Sequence, residues 1–134
     1  MAISDDIAAR IIALGLGTAV GTDIFIGTKA KVPSAPGDAG PYISLVDTGG
    51  SGAVRTHDGR YARPSCQISV RARQASTARA KAAALHAGLA DKFNVTMGSN
   101  YYLSVTAVQE VMDMPADSVG RPRFGFNLDT LTRA

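Results

Sequence analysis

The chain has 134 residues, of which 46% are apolar and 19% are charged, with one cysteine and no tryptophan. This length suggests one domain, residues 1–134, with a core large enough to fold without stabilising cross-links or metal ions. A single cysteine excludes an internal disulfide. The longest apolar stretch, Ile11–Leu16, is too short to span a bilayer, and Asp5 and Asp6 stand where a secretory signal is basic. We therefore expect a soluble intracellular protein and no membrane partner.

The net charge of +3 is small, but the basic residues are unevenly distributed. Half of the 14 basic residues lie between Arg55 and Lys81, where Asp58 is the only acid. Such a segment suits a nucleic-acid backbone or an acidic protein surface. A solvated basic face explains it equally well.

The first residues predict an amphipathic helix over about 4–15. Ser4 is a capping residue, and the glycine at position 15 follows the last apolar position. The apolar side chains recur at spacings of three and four, at Ile7, Ile11 and Leu14.

Two strands are predicted next, at about 22–28 and 42–48. In the second strand both alternate sets of side chains are largely apolar, which favours a strand covered on both faces. Residues 47–60 contain four glycines, and the pair Asp58-Gly59 favours a tight turn. They predict a flexible glycine-rich loop at about 47–60, in the form of one long hairpin connection.

The stretch RPSCQISVRAR, within a strand predicted over 61–73, alternates sharply. Cys66, Ile68, Val70 and Ala72 share one face, and Gln67, Ser69, Arg71 and Arg73 share the other. Pro64 predicts a sheet edge or an irregular start to this strand. A long helix over 75–93 follows, with an apolar stripe formed by Ala78, Ala82, Leu85, Leu89 and Phe93.

Strands are predicted at 94–97, 101–111 and 123–131 from their β-branched and aromatic residues. The order of elements predicts an α+β fold. It is a mainly antiparallel sheet of four to six strands, with an N-terminal helix and one long central helix packed on one face.

A search for chemistry finds little. His57 and His86 lie outside any metal-ligand spacing, so a surface or half-buried structural role is the better interpretation of both. Cys66 falls on the apolar side of its strand, where a thiol is expected to be buried and inert. Glu110 is the only glutamate, and no pair of carboxylates suggests acid–base catalysis. We expect no cofactor, no metal and no enzymatic activity.

The segment DGRYARPSCQISVRARQASTARAKAAALHAGL resembles the tail terminator proteins of long-tailed bacteriophages, also described as tail completion or minor capsid proteins. The ending RFGFNLDTL resembles the final strand of that family. The matching residues are Arg63, Pro64, Gln67, Ile68, Val70, Ala72, Ala78, Ala82 and Leu85.

The resemblance implies a structural role in the virion, at the head–tail junction. The protein would be present in the host cytoplasm while the particle assembles. Such proteins form a ring, usually a hexamer, at the head-proximal end of the tail tube. They end tube polymerisation and present a surface to the head. The implied partners are further copies of the chain, the tail-tube protein, the connector or stopper protein of the head, and DNA passing through the lumen.

Two groups of residues are candidates for these contacts. Arginines at a subunit interface or facing the lumen are predicted at Arg55, Arg60, Arg63, Arg71 and Arg73. A partner-binding loop is predicted at Gly49, Gly50, Gly52 and His57. Two alternative functions stay open, a head-closure or adaptor protein of the same junction and a small basic nucleic-acid-binding module.

Overall fold

The computed structural model describes residues 3–27, 40–49, 54–56, 59–116 and 120–133. Within these residues the chain forms two helices and nine strands. In chain order they are α1 (Ile3–Ala13), β1 (Ile24–Ile26), β2 (Tyr42–Asp47), β3 (Val54–Thr56), β4 (Gly59–Ala62), β5 (Ser65–Arg71), α2 (Ala75–Leu89), β6 (Lys92–Met97), β7 (Asn100–Ala107), β8 (Met112–Met114) and β9 (Arg123–Arg133). Neither described helix is long and apolar enough to cross a membrane.

The predicted α+β class is confirmed, but the sheet has nine described strands rather than four to six. The extra strands are β3, β4 and β8, which have three or four residues each. Segments this short contain too few residues to establish a strand period in the sequence. Part of the loop predicted at 47–60 is therefore a hairpin of β3 and β4, in which Arg55 pairs with Arg60.

β9 lies at the centre of the sheet. The strand order along one path is β1-β2-β5-β9-β4-β3, and β7 and β8 also pair with β9, with β6 beyond β7. β1 and β2 are parallel, and all other neighbours are antiparallel. A single strand thus connects the two halves of the sheet.

The core forms between one face of the sheet and the two helices. The alternation predicted for β5 is confirmed, because Cys66, Ile68 and Val70 have no exposed surface. The register places them opposite Leu128, Phe126 and Phe124 of β9. The predicted helical stripe packs on this face through Ala78, Ala82, Leu85 and Leu89, together with Ile7 and Ile11 of α1.

The last position predicted for that stripe is wrong. Phe93 lies on β6 and is 63% exposed, because α2 ends at Leu89 and Asp91 adopts a left-handed conformation with φ of 55°. The chain reverses there and continues as a strand. The stripe is therefore one helical turn shorter than the pattern predicts.

The N-terminal helix is capped from a distance. Ser4 lies inside α1 rather than before it, and its backbone N–H donates to Asp47 Oδ1 at 3.1 Å. Asp47 thus provides an acceptor for an N–H at the helix start, and its negative charge suits the positive end of the helix dipole. At the other end, Gly15 with φ of 75° and the bond from Leu16 N to Ile11 O close a Schellman motif.

Two further sequence predictions concern strand ends and faces. The irregular start predicted at Pro64 is confirmed, because β4 and β5 separate there and Pro64 O accepts bonds from Thr130 N and Oγ1. In β2, Ile43 and Leu45 are buried, whereas Tyr42, Ser44 and Val46 are half-buried. Among the described residues, the second face of β2 is therefore only partly covered.

A buried carboxylate joins α1 to the β6–β7 hairpin. Asp6 is 1% exposed, and its Oδ2 accepts hydrogen bonds from Asn100 Nδ2 at 2.8 Å and Tyr102 Oη at 2.5 Å. Burial and this carboxylate raise the pKa of Tyr102 well above its usual value. The phenol therefore keeps its proton, and donates its hydrogen bond to Asp6, well into the alkaline range. Asp6 therefore fixes the position of α1 along the sheet.

We predict that Asp6→Ala lowers the free energy of unfolding by about 1–3 kcal/mol, because it leaves the buried Tyr102 hydroxyl without its acceptor. Asp5, the next residue, is exposed and provides a matched control, for which we expect a change of about 0.5 kcal/mol or less. Urea denaturation of both variants measures the difference. Equal losses in the two variants contradict a structural role for the buried carboxylate.

Candidate functional site

The face of the sheet opposite the helices is the most extensive candidate surface. We call it the open face, and its side chains are those that alternate with the core residues on β5, β7 and β9. The open face consists of Gln67, Ser69, Arg71, Ser104, Thr106, Arg123, Asn127, Asp129 and Leu131. Neither described helix packs on it, since both helices contribute to the core on the other side. Since no described helix covers it, the open face is available for contacts with other molecules.

The polar groups in the middle of the open face bond to one another. Ser65 Oγ donates to Asp129 Oδ1 at 2.6 Å, and the Gln109 Oε1 atom accepts from Asn127 N at 3.1 Å. Val108 N donates to Asn127 O at 2.9 Å, which extends the β7–β9 pairing by one residue. Most of these residues line an open depression of about 440 Å³, and because several of their polar groups already bond to one another, the surface suits a protein contact better than the binding of a small molecule.

Large apolar side chains flank this polar centre. Val108 is 58% exposed beside Asn127, and Phe93 is 63% exposed opposite Ser104 in the β6–β7 register. Tyr101 is 50% exposed, on the side of β7 opposite the buried Tyr102. Large exposed apolar side chains that share one surface mark a candidate site for contact with another protein.

The five arginines predicted as site residues do not come together. Arg63 is exposed just before β5, whereas Arg71 and Arg73 lie at its far end. The seven residues of β5 separate the two ends by about 20 Å. Arg60 is exposed on β4, near the Arg63 end, and Arg55 is described only through its backbone pairing with Arg60. Of the predicted loop residues, Gly49 is described and is exposed, and Gly50, Gly52 and His57 lie outside the described residues.

The structure brings other arginines to the Arg71 end. Arg71 stands directly opposite Arg123 of β9. The bond from Ala72 N to Pro122 O at 3.3 Å continues this alignment toward Arg73 and Arg121. Arg79, in the first turns of α2, lies over the Phe124 ring at 4.9 Å. We call these residues the arginine corner: Arg71, Arg73, Arg79, Arg121 and Arg123.

Two members of the arginine corner, Arg121 and Arg123, were missed by the sequence analysis. They lie far from Arg71 along the chain, and only the pairing of β5 with β9 makes them neighbours. Arg123 donates to Pro115 O at 3.3 Å and to Ser69 Oγ at 3.5 Å, and Arg71 lies over the Tyr42 ring at 5.5 Å. These contacts restrict where the two guanidinium groups can move.

Comparison with known proteins gives the family. Residues 10–132 match a family model described as bacteriophage tail terminator protein. This chain belongs to that family. A tail terminator family member is a structural protein of a phage tail, and so a component of the virion.

A solved structure has the same fold. It is a chain of the "Virion of native gene transfer agent (GTA) particle", which superposes on this tail terminator family member with a TM-score of 0.69. The two chains are 19% identical, and the match covers 99% of this chain and 96% of the other. No curated protein sequence matches the chain significantly.

His86 has structural contacts in this family member. Its Nε2 lies 3.2 Å from Gln109 O and 3.9 Å from Glu110 Oε2, and its ring packs edge-on against Phe126 at 4.9 Å. The prediction of a half-buried structural histidine is confirmed. Within the described part of the chain, no three histidine, cysteine or acidic side chains are grouped so as to hold a metal ion.

Cys66 is buried in the core, as predicted. Burial raises the pKa of its thiol from 9.0 to about 12, and the nearby charge of Asp47 acts in the same direction. A thiol with so high a pKa is almost entirely protonated at neutral pH, so it is a poor nucleophile.

We predict that the free energy of unfolding falls as pH rises above 9, because the thiol ionises in the unfolded chain while the folded chain keeps the proton up to about pH 12. The slope from this group approaches about 1.4 kcal/mol per pH unit. Cys66→Ala removes this contribution. The free energy of unfolding of the wild type therefore falls more steeply with pH than that of C66A between pH 9 and 10, before tyrosine ionises. Parallel curves in denaturant unfolding at each pH contradict the assignment.

Proposed function

We propose that this chain forms a closed ring at the head-proximal end of the tail tube, where it ends tube polymerisation and presents the surface to which the head joins. The observation that carries the proposal is the family match over residues 10–132, which leaves out only short ends of the chain. The role needs no catalytic group. The chain acts through surfaces shared between copies, and not as an enzyme.

The ring contact, in this proposal, uses the open face. In a closed ring each copy meets two neighbours through two different surfaces, so every exposed side chain is repeated around the axis. Phe93 and Val108 are among the most exposed large apolar side chains described in the chain, and both border the open face. Burying them against a neighbour stabilises the ring by removing apolar surface from water.

Three classes of partner follow. The chain binds further copies of itself and forms a hexamer, the usual ring of the family. One rim of the ring binds the last tail-tube subunits. The other rim binds the connector or stopper protein of the head at the head–tail junction, after assembly in the host cytoplasm. The segment at 47–60, which includes Gly49, Gly50, Gly52 and His57, serves as a partner-binding arm.

We predict that particles made without this chain have tail tubes of uncontrolled length and no attached heads, because nothing ends polymerisation. Electron microscopy of tails from a producing strain with the gene deleted measures the length distribution, and expression of the gene from a plasmid restores it. Tails of normal length that fail to join heads contradict a terminator role and favour an adaptor of the same junction.

We predict that Phe93→Ser weakens binding of the chain to tube ends by about tenfold, because it removes a large apolar contact of the ring. Ile12→Ser is the matched control, since Ile12 is also exposed, at 41%, but lies on α1 in the helical layer. Occupancy of purified tails made without the chain is measured against the concentration added. Unchanged binding by F93S, or equal loss in both variants, contradicts the open face as the ring contact.

A further inference from the structure

We propose that a groove on the outer side of α2 receives the open face of a neighbouring copy and forms the second half of the ring contact. The inference rests on the proposed ring and goes beyond it, because it names the surface that each copy offers to its other neighbour. A closed ring is built from head-to-tail contacts, in which two different surfaces of the same chain meet. The open face is one of these surfaces, and the groove is the other.

The groove lies along a row of small side chains on α2. Ser76, Ala80 and Ala84 follow one another at intervals of four residues, so they are neighbours on the helix surface. They form the floor of an open groove of about 510 Å³, whose walls come from the turn after α1 and from the start of β2. We call it the α2 groove, and its residues are Leu16, Pro41, Ser76, Ala80, Lys81 and Ala84.

The turn after α1 covers the next position of this row. Gly88 continues the row by four more residues, and a Cβ there would lie 3.2 Å from both Leu14 Cδ1 and Leu16 Cδ1. Leu14 and Leu16 therefore pack directly on α2 at Gly88. The chain itself thus covers one end of the row, and the stretch from Ser76 to Ala84 is open to solvent in the part of the chain that the structure describes.

The α2 groove and the open face have complementary shapes. The open face is bordered by the large exposed side chains of Phe93 and Val108, whereas small side chains form the floor of the groove. Phe93 pairs with Ser104, four residues before Val108, so the two large side chains are about 13 Å apart along the strand direction. The row from Ser76 to Ala84 is about 12 Å long. The groove is therefore long enough to receive both side chains.

The charges of the two surfaces are also complementary. Lys81 borders the α2 groove, and α2 itself contains no acidic residue. Asp129 is exposed on the open face, where the β7–β9 register places it opposite Thr106 and between the positions of Phe93 and Val108. An acid between two apolar side chains thus meets a base beside an apolar row. Opposite charges across the contact favour the pairing of these two unlike surfaces, so the occupant of the groove is a second copy of the chain.

Filling the groove tests the inference. We expect Ala80→Trp to weaken binding of the chain to tube ends by about tenfold, because the indole occupies the space that the neighbouring copy needs. Ala83→Trp is the matched control, since Ala83 is also exposed on α2 but does not border the groove, and we expect its binding to stay within about twofold of wild type. Occupancy of purified tails made without the chain is measured as for F93S. Equal weakening by both tryptophans, or unchanged binding by A80W, overturns the inference.

Charge reversal identifies the occupant of the groove. Lys81→Glu and Asp129→Lys are each expected to weaken tube-end binding by about tenfold, since each places like charges across the contact. The double variant K81E/D129K restores opposite charges at every contact of the ring, and we expect its binding to return to within about threefold of wild type. Recovery supports a contact between the two residues on neighbouring copies. A double variant that binds no better than the weaker single variant overturns the assignment to a second copy and favours the tube protein.

Folding of each variant is checked by thermal unfolding, because Asp129→Lys also removes the hydrogen bond from Ser65 Oγ. An unfolding temperature that falls far more in A80W than in A83W, with unchanged tube-end binding, overturns the inference and indicates that another part of the same chain fills the groove.

The inference and the proposed function can fail separately. Tails of normal length in the deletion strain contradict the terminator role and leave the comparison of A80W with A83W unaffected, because that comparison measures binding and not tube length. Loss of binding in F93S without loss in A80W keeps the open face in the ring contact and overturns only the role of the α2 groove.

Discussion

The backbone pairing of β9 is the constraint on which the rest of the structure depends. This strand hydrogen-bonds to β5 and β4 along one edge and to β7 and β8 along the other. Gly125 allows the close packing at its centre, because a Cβ there would lie 2.3 Å from Ile68 O. Alternation along β9 then assigns Phe124, Phe126 and Leu128 to the core and leaves the residues between them on the open face. A larger residue at position 125 disturbs both faces together.

This division separates the core from the surface proposed for assembly. One face of the sheet supplies the core, with Cys66 buried in it and the two helices packed over it. The other face supplies bonded polar groups and exposed apolar side chains, together with Arg71 and Arg123. Because the core occupies the face covered by the two helices, the open face is the surface that the proposed ring uses for contacts between copies.

Local patterns predict what depends on neighbouring residues. The alternation of Cys66, Ile68 and Val70 and the helical spacing of Ala78 and Ala82 each describe a buried face, and both predictions are confirmed. The predicted helical layer on one side of a mainly antiparallel sheet follows from these two patterns together. The family resemblance is likewise confirmed by the match over residues 10–132.

Features that depend on distant residues could not be predicted in this way. Asp47 caps α1 only because β2 ends beside it, although Ser4 is the capping residue that the local pattern favours. The exposure of Phe93 follows from a chain reversal at Asp91 that the helical period does not reveal. Arg123 joins Arg71 only through the β5–β9 register. Tertiary pairing overrides local preference in each case.

The most direct measurement of the central claim is an electron cryomicroscopy structure of the assembled particle at the head–tail joint. The account predicts a closed ring of this subunit on the end of the tail tube, with Phe93 and Val108 buried between neighbouring copies. A joint without such a ring, or a ring whose copies meet through the helices while the open face remains in solvent, contradicts it.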